Sequence, residues 1–228
     1  MTLPFRPGRR VPDIRLGTMG GTSCAISDFA GRKVLVYVWA SWDASREDLP
    51  LLQKFIEKHP GLDVVTIACD AQGIDHPMRY ISQAKLKGHW WIDATCTLAR
   101  RWSLKDVGAT VLLDENRCVA LAGGRPDKAL LAKVEKALGR RAAARRMPEP
   151  KVDVKNTQVE ILMQACTNLL TRRRVDDAIE ALRKACAADP GNRVIPPQTW
   201  ALKHPERFYA GPIDQAWLAE RPPVVPRS

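Results

Sequence analysis

Long apolar runs are missing from the 228 residues, and none approaches the roughly 20 consecutive apolar residues that a bilayer-spanning helix needs. The apolar core of a secretory signal is missing too, since the N-terminus, MTLPFRPGRRVPDIRL, is basic but carries no such stretch. The expected compartment is therefore the cytoplasm. The six cysteines (Cys24, Cys69, Cys96, Cys118, Cys166, Cys186) have no paired spacing, and there are four histidines, so neither a disulfide framework nor a metal-ligand pattern emerges. No cofactor and no metal is expected, and in a reducing compartment such isolated thiols serve as small buried hydrophobes. Acidic residues are the scarcer charge, 25 against 36 basic, for a net of +11. That imbalance favours acidic partners, although a merely solvated surface would look the same. The clusters Arg140-Arg141, Arg145-Arg146 and Arg172-Arg173-Arg174 lack interleaved aromatics or a groove-reading motif, which disfavours nucleic acid as the partner.

What is present is a soluble globular composition, 45% hydrophobic and 27% charged, on a chain long enough for one sizeable core and a smaller second unit. The central stretch is Val34 to Pro50, VLVYVWASWDASREDLP. Val34 to Val38 is an unbroken apolar, largely β-branched run, the pattern of a strand buried on both faces. After a turn at Trp39 to Trp42, Asp43 and Ser45 stand where a helix would begin, with side-chain oxygens able to accept its unpaired N–H groups. Leu49, Leu51, Leu52 and Phe55 then give a helical stripe, and Leu62 to Ala68 predicts a second central strand, parallel to the first.

This stretch resembles the TlpA-like branch of the thioredoxin superfamily, in which a strand ends in F-W-A-x-W and runs into C-x-x-C and then R-E-x-x-P. Trp39, Ala40, Trp42, Arg46, Glu47 and Pro50 fit that frame, and the two cysteines do not. The first maps to Asp43; the second maps to Ser45 with one residue deleted, or to Arg46 without a gap. The resemblance implies an α/β thioredoxin-like fold: a central mixed sheet flanked by helices, with an N-terminal β-hairpin at Pro12 to Phe29. It also implies a cis proline facing the cysteines, where Gly108 stands in this chain, or Ala109 if one residue shifts. A cis bond without proline costs roughly 3 kcal/mol, so a trans bond and a reshaped loop are expected. A carboxylate or hydroxyl cannot exchange with a disulfide, so no catalytic residue is expected at Asp43-Ala44-Ser45-Arg46. Trp39, Trp42, Asp43, Ser45, Arg46, Gly108 and Ala109 become degenerate positions that would contact a partner instead.

The remaining elements follow from the same patterns. Asp75 to Lys87 predicts a helix, Trp90 to Asp93 a short strand, and Val111–Leu113 with Val119–Leu121 an edge hairpin. Pro126 to Arg146 reads as the closing helix, which ends a first domain over residues 1–146. Residues 147–156 read as a linker. Residues 157–192 predict two helices whose Ala178, Leu182, Ala185 and Pro190 stand at offsets resembling a tetratricopeptide repeat. Leu162, Ala165 and Leu169 would be its first-helix apolar positions, with Cys166 in place of the usual glycine. Residues 193–228 are a proline- and aromatic-rich tail in which Trp200, Phe208, Tyr209 and Trp217 are the expected contacts of tail and hairpin. A short helix at residues 213–220 is expected to cap the hairpin.

Together these features resemble thioredoxin-repeat holdases and cysteine-less thioredoxin-like chaperones of metalloenzyme assembly. The expected function is a redox-inactive adaptor or assembly chaperone that grips a protein partner, acidic or an enzyme under assembly. Self-association is a further expectation. The competing expectation is a thiol-dependent oxidoreductase using the displaced Cys69, Cys96 or Cys118.

Overall fold

The computed structural model describes residues 5–139, 157–221 and 224. Seven strands form one mixed sheet: β1 (Arg15–Thr18), β2 (Ser23–Ala25), β3 (Val34–Trp39), β4 (Asp63–Ala68), β5 (His89–Ile92), β6 (Ala109–Leu113) and β7 (Val119–Gly123). Their order across the sheet is β2-β1-β5-β4-β3-β6-β7. The three central strands are parallel, with Val36 opposite Val65 and Thr66 opposite Trp90. The β1–β2 hairpin closes one edge and the β6–β7 hairpin the other, both antiparallel. The α/β thioredoxin-like fold expected from the sequence is the fold observed.

Alternation along β3 assigns the two faces. Leu35, Tyr37 and Trp39 point into a core shared with α1 (Leu49–Lys58), α2 (Asp75–Ala84) and α4 (Lys128–Leu138). Val34, Val36 and Val38 point the other way, into a core shared with α3 (Thr97–Arg101) and the C-terminal helices. These are α5 (Thr157–Thr171), α6 (Val175–Ala188), α7 (Pro196–Lys203), α8 (Pro205–Tyr209) and α9 (Gln215–Ala219). Val159, Met163, Ala178, Leu182, Ile195 and Phe208 are all buried in that second core, so the helical unit is fused to the sheet. Glu160 of α5 adds an ionic tie, 3.3 Å from Arg100 and 3.4 Å from Arg101 of α3.

Several boundaries differ from expectation. The first helix does not begin at Asp43; a 3-10 turn (Ala44–Asp48) intervenes, and α1 starts at Leu49 with Pro50 in its first turn, where a missing N–H costs nothing. The helix after β4 stops at Ala84, because Lys85 turns left-handed at φ 50° and Leu86 N–H closes back on Ile81 O. Gly88 follows at φ +101°, its α-carbon so near β4 that a Cβ would stand 2.6 Å from Val64 O. α4 ends at Leu138. The rest of the predicted closing helix, the 146 boundary, the 147–156 linker and the Arg140–Arg146 clusters lie outside the described residues. In α5 the fully buried side chains are Val159, Met163 and Cys166, whereas Leu162 and Leu169 are only partly buried. The short tail helix forms over Gln215–Ala219, inside the expected 213–220. Its Trp217 packs edge-on against Trp200 and Phe208 of α7 and α8.

Candidate functional site

The corner between β3 and α1 is where the resemblance would put the chemistry. Asp43 is in extended backbone, and its Oδ1 accepts Ser45 N–H at 2.7 Å, the capping role its residue type predicts. Ser45 is fully buried, and its Oγ accepts Ala40 N–H at 3.2 Å. Tyr37 O–H lies between Ser45 O (2.9 Å) and Asp48 Oδ2 (2.6 Å), and Arg125 clamps the Asp48 carboxylate through two 2.7 Å bonds. The 3-10 turn is thereby bolted to the sheet on one side and to the strand β7 exit on the other.

Gly108 precedes β6 and faces this corner. Its N–H donates to Val38 O at 2.8 Å, it sits at φ +78°, and a Cβ there would meet Ser45 Cβ at 3.6 Å. Ala109 is instead a strand residue paired with Val38. Of the two candidates Gly108 is therefore the one beside Ser45. Among the described residues every peptide bond is trans.

Trp39 and Trp42 do not present a recognition face. Both are buried, at 0% and 3% exposure, and Trp42 Nε1–H donates to Cys69 O at 2.8 Å. Trp42 lies under the chain's own C-terminal helices, beside Trp200 and Phe208, whereas Trp39 points into the opposite core shared with α1, α2 and α4. Arg46, 6% exposed, donates from NH1 to Ser41 O (2.8 Å) and Phe208 O (2.5 Å), and from NH2 to Gly211 O (2.7 Å). Its guanidinium lies 4.7 Å from the Tyr80 ring centroid. Tyr209 stacks on His76 of α2 with centroids 3.7 Å apart, and its hydroxyl accepts Gln72 Nε2–H at 2.9 Å. From α7, Gln198 Oε1 accepts Ala71 N–H at 2.8 Å while its Nε2 donates to Val194 O (2.9 Å) and toward Cys96 Sγ (3.2 Å). Phe208 and Tyr209 are thus internal contacts; Trp200 and Trp217 are half-buried, and Arg221 covers Trp217 at 4.5 Å.

Two buried carboxyls stand behind this joint. Asp70, just past β4, accepts Ser41 N–H at 3.0 Å and the Ser41 hydroxyl. Burial pushes its carboxyl up to about 7, against the pull of those bonds and of the Arg46 charge. Asp93, after β5, caps α3 by accepting Thr97 N–H (2.7 Å) and Ala99 N–H (3.1 Å), and burial pushes it up to about 6. All six cysteines are free thiols. Burial raises Cys69 and Cys96 well above the usual thiol range, with the nearby Asp93 adding to the rise. Among the described residues no cluster of three or more metal-ligating side chains forms, and no helix is long and apolar enough to cross a membrane.

Arg46 as a buried clamp, with Ser41, Asp70, Arg79 and Gln198 around it, is what sequence reasoning missed. Arg46 was placed at the corner by its motif, but its bonding partners lie 162 and 165 residues away. Gln198 carries no local signal at all.

The fold recurs in known proteins. A Chlorobium tepidum structure described as a thiol:disulfide interchange protein DsbE superposes with a TM-score of 0.54 and 26% identity, covering 59% of this chain and 99% of that one. The thioredoxin domain of a Bacteroides vulgatus thiol-disulfide oxidoreductase gives the same TM-score of 0.54 at 20% identity, over 59% and 99% of the two chains. The Bacillus subtilis (strain 168) thioredoxin-like protein YneN is 32% identical over 56 residues, which is 24% of this chain and about a third (33%) of YneN. The Redoxin family profile matches residues 6–138, more than half of the sequence and all seven strands, and the chain belongs to that family.

Proposed function

We propose that this chain is a redox-inactive adaptor or assembly chaperone of the cytoplasm, one that grips a protein partner instead of exchanging electrons. The observation that carries the reading is the fate of the reactive corner. Asp43 caps a turn, and Arg46 is spent on the backbone of the tail. Disulfide exchange requires a thiolate that a substrate can reach. Here Cys69 and Cys96 are at 0% exposure with their thiols pushed up, and Cys118 is at 4%. The net charge of +11 supports an acidic partner. The tetratricopeptide-like reading of the α5–α6 hairpin supplies a second contact surface, on which Ile161 is 64% exposed.

The second reading, a thiol-dependent oxidoreductase, draws on the activity named for the Chlorobium relative and on Cys69 Sγ lying 3.9 Å from Asp93 Oδ2. Reduction of an insulin-type disulfide separates the two. The adaptor reading expects no rate above the dithiol background for the full chain, together with a protein partner that co-purifies stoichiometrically from native extracts. Turnover abolished by Cys69→Ser, Cys96→Ser or Cys118→Ser would replace it with the oxidoreductase.

A further inference from the structure

Beside the covered corner a cavity of about 380 Å³ opens between the 3-10 turn, α2 and the segment after α8. That volume is at the lower end of the roughly 300–1,000 Å³ typical of small-ligand sites. Its walls are mostly apolar, with Pro50, Tyr80, Ala84 and Tyr209 among them, and two arginines, Arg46 and Arg79, reach it from opposite elements. Among the described residues neither arginine has a carboxylate partner. Three of the five N–H groups of Arg46 go to carbonyls, which leaves Nε–H and one NH2 hydrogen without an acceptor. Arg79 makes one long bond, 3.3 Å, to Tyr209 O.

A guanidinium that is more than nine-tenths buried, bonded only to neutral carbonyls and with donors to spare, lacks an ion-pair partner; the buried carboxyl that feels its charge, Asp70, is itself pushed up to about 7 by burial. Glu47 lies at the cavity rim, but its carboxylate is 3.9 Å from Arg125, which draws its charge outward. Two arginines against one rim carboxylate leave an excess of a single positive charge, suited to a monoanion. The planar guanidinium fork matches a carboxylate, and the apolar walls match the chain that carries it.

We propose that this pocket binds a peptide carboxylate, either an acidic side chain or a C-terminus, with Arg46 and Arg79 as its two cationic contacts. This deepens the adaptor reading by naming what the partner offers, and it rests on that reading only for the identity of the carrier. The test is calorimetric titration of the full chain at low ionic strength. The probes are acetyl-Ala-Glu-Ala-amide, its Gln counterpart, acetyl-Ala-Ala-Ala with a free C-terminus, and inorganic phosphate. At least one carboxylate peptide binds, and the better of the two identifies the source. The neutral Gln peptide binds at least about ten-fold more weakly, equivalent to ~1.4 kcal/mol.

Arg79 is exposed, so Arg79→Gln leaves the fold intact, as an unchanged melting temperature verifies, and it weakens the carboxylate peptide about ten-fold. Arg79→Lys recovers part of that loss, since it keeps the charge and loses the fork. Equal binding of the Glu and Gln peptides, tighter binding of phosphate than of either carboxylate, or an unaltered affinity in Arg79→Gln would each overturn the proposal. The two readings fail separately. Peptides that do not bind while a protein partner still co-purifies would sink the pocket alone, and peptides that bind while no partner is recovered would sink the adaptor alone.

Discussion

Replacing Arg46 by methionine keeps most of the aliphatic volume and removes the cation that ties the tail to the corner. Three acceptors lose their donor: Ser41 O, Phe208 O and Gly211 O. Ser41 and Phe208 are fully buried, so their carbonyls have no water to turn to, and each orphaned acceptor costs about 1–3 kcal/mol. Gly211 is exposed and its carbonyl rehydrates at little cost. The Tyr80 ring loses a cation contact of about 0.5–2 kcal/mol. Against these losses, the unfolded chain no longer has a guanidinium to desolvate on folding, which returns part of the total. A net loss of about 3 kcal/mol follows, and it falls on the tail's attachment more than on the sheet.

That distribution is what makes the prediction testable. A local loss of about 3 kcal/mol raises the detached population of residues 204–221 roughly a hundred-fold. Native-state proteolysis in the fast-reclosing regime reads that population directly. In Arg46→Met the first cuts therefore fall in or just after α8, at a rate about a hundred-fold above wild type, while the β-sheet amides keep their hydrogen-exchange protection. Arg46→Lys is intermediate, because an ammonium reaches one or two of the carbonyls without the fork. If the tail of Arg46→Met resists protease as wild type does, Arg46 is no clamp, and the conversion of the corner from reactive site to joint is wrong.

Asp70 gives a pH signature. Its carboxyl titrates near 7 in the folded chain and near 3.8 unfolded, so between those values the folded state holds a proton that the unfolded state has released. Stability therefore falls as pH rises from about 4 to 7, by on the order of 4 kcal/mol for this group, which contributes no further slope above that. Asp70→Asn removes that contribution and leaves the shallower fall from Asp93, which ends near 6, with Asp106, also raised by burial, adding in the same direction and His76, lowered by burial, opposing; urea midpoints measured at pH 5 and pH 8 show the loss of the Asp70 part. Gln198→Leu leaves Ala71 N–H without an acceptor in a buried site and costs about 1–3 kcal/mol, read from the same midpoints. Gly108→Pro, which restores the family residue, fails on two counts: proline cannot take φ +78° and has no N–H for Val38 O, so the variant loses at least about 3 kcal/mol and gains no disulfide activity. Under native conditions a chromogenic disulfide reagent titrates Cys24 first, since the other five thiols are buried, and all six only after unfolding.

The sheet was legible because its central strands are buried on both faces, and the unbroken apolar run Val34–Val38 and the largely apolar Leu62–Ala68 admit few other readings. The frame of the corner was equally legible, because Trp39, Ala40, Trp42, Arg46, Glu47 and Pro50 fit it and no cysteine stands from Asp43 to Arg46. What covers the corner was not, since a local frame fixes where Trp39 and Trp42 lie along the chain and says nothing of what packs on them. The covering contacts run from Arg46 to Phe208 and Gly211 and from Ala71 to Gln198, sequence separations of 162, 165 and 127, and no periodicity encodes such pairs.

The substitutions at the corner nevertheless follow from its backbone once the tail is in place. A helix or 3-10 N-terminus leaves free amides that a thiolate would otherwise satisfy, and Asp43 supplies a different anion. The tail brings buried carbonyls to the same place, and these need donors that only a cation with several N–H groups can supply at once, which Arg46 provides. The covered corner and the absence of a cysteine from Asp43 to Arg46 are then consistent with one another. A chain that kept either cysteine would have to leave the corner open for its substrate, and one that closed the corner would gain nothing from a thiol no substrate could reach.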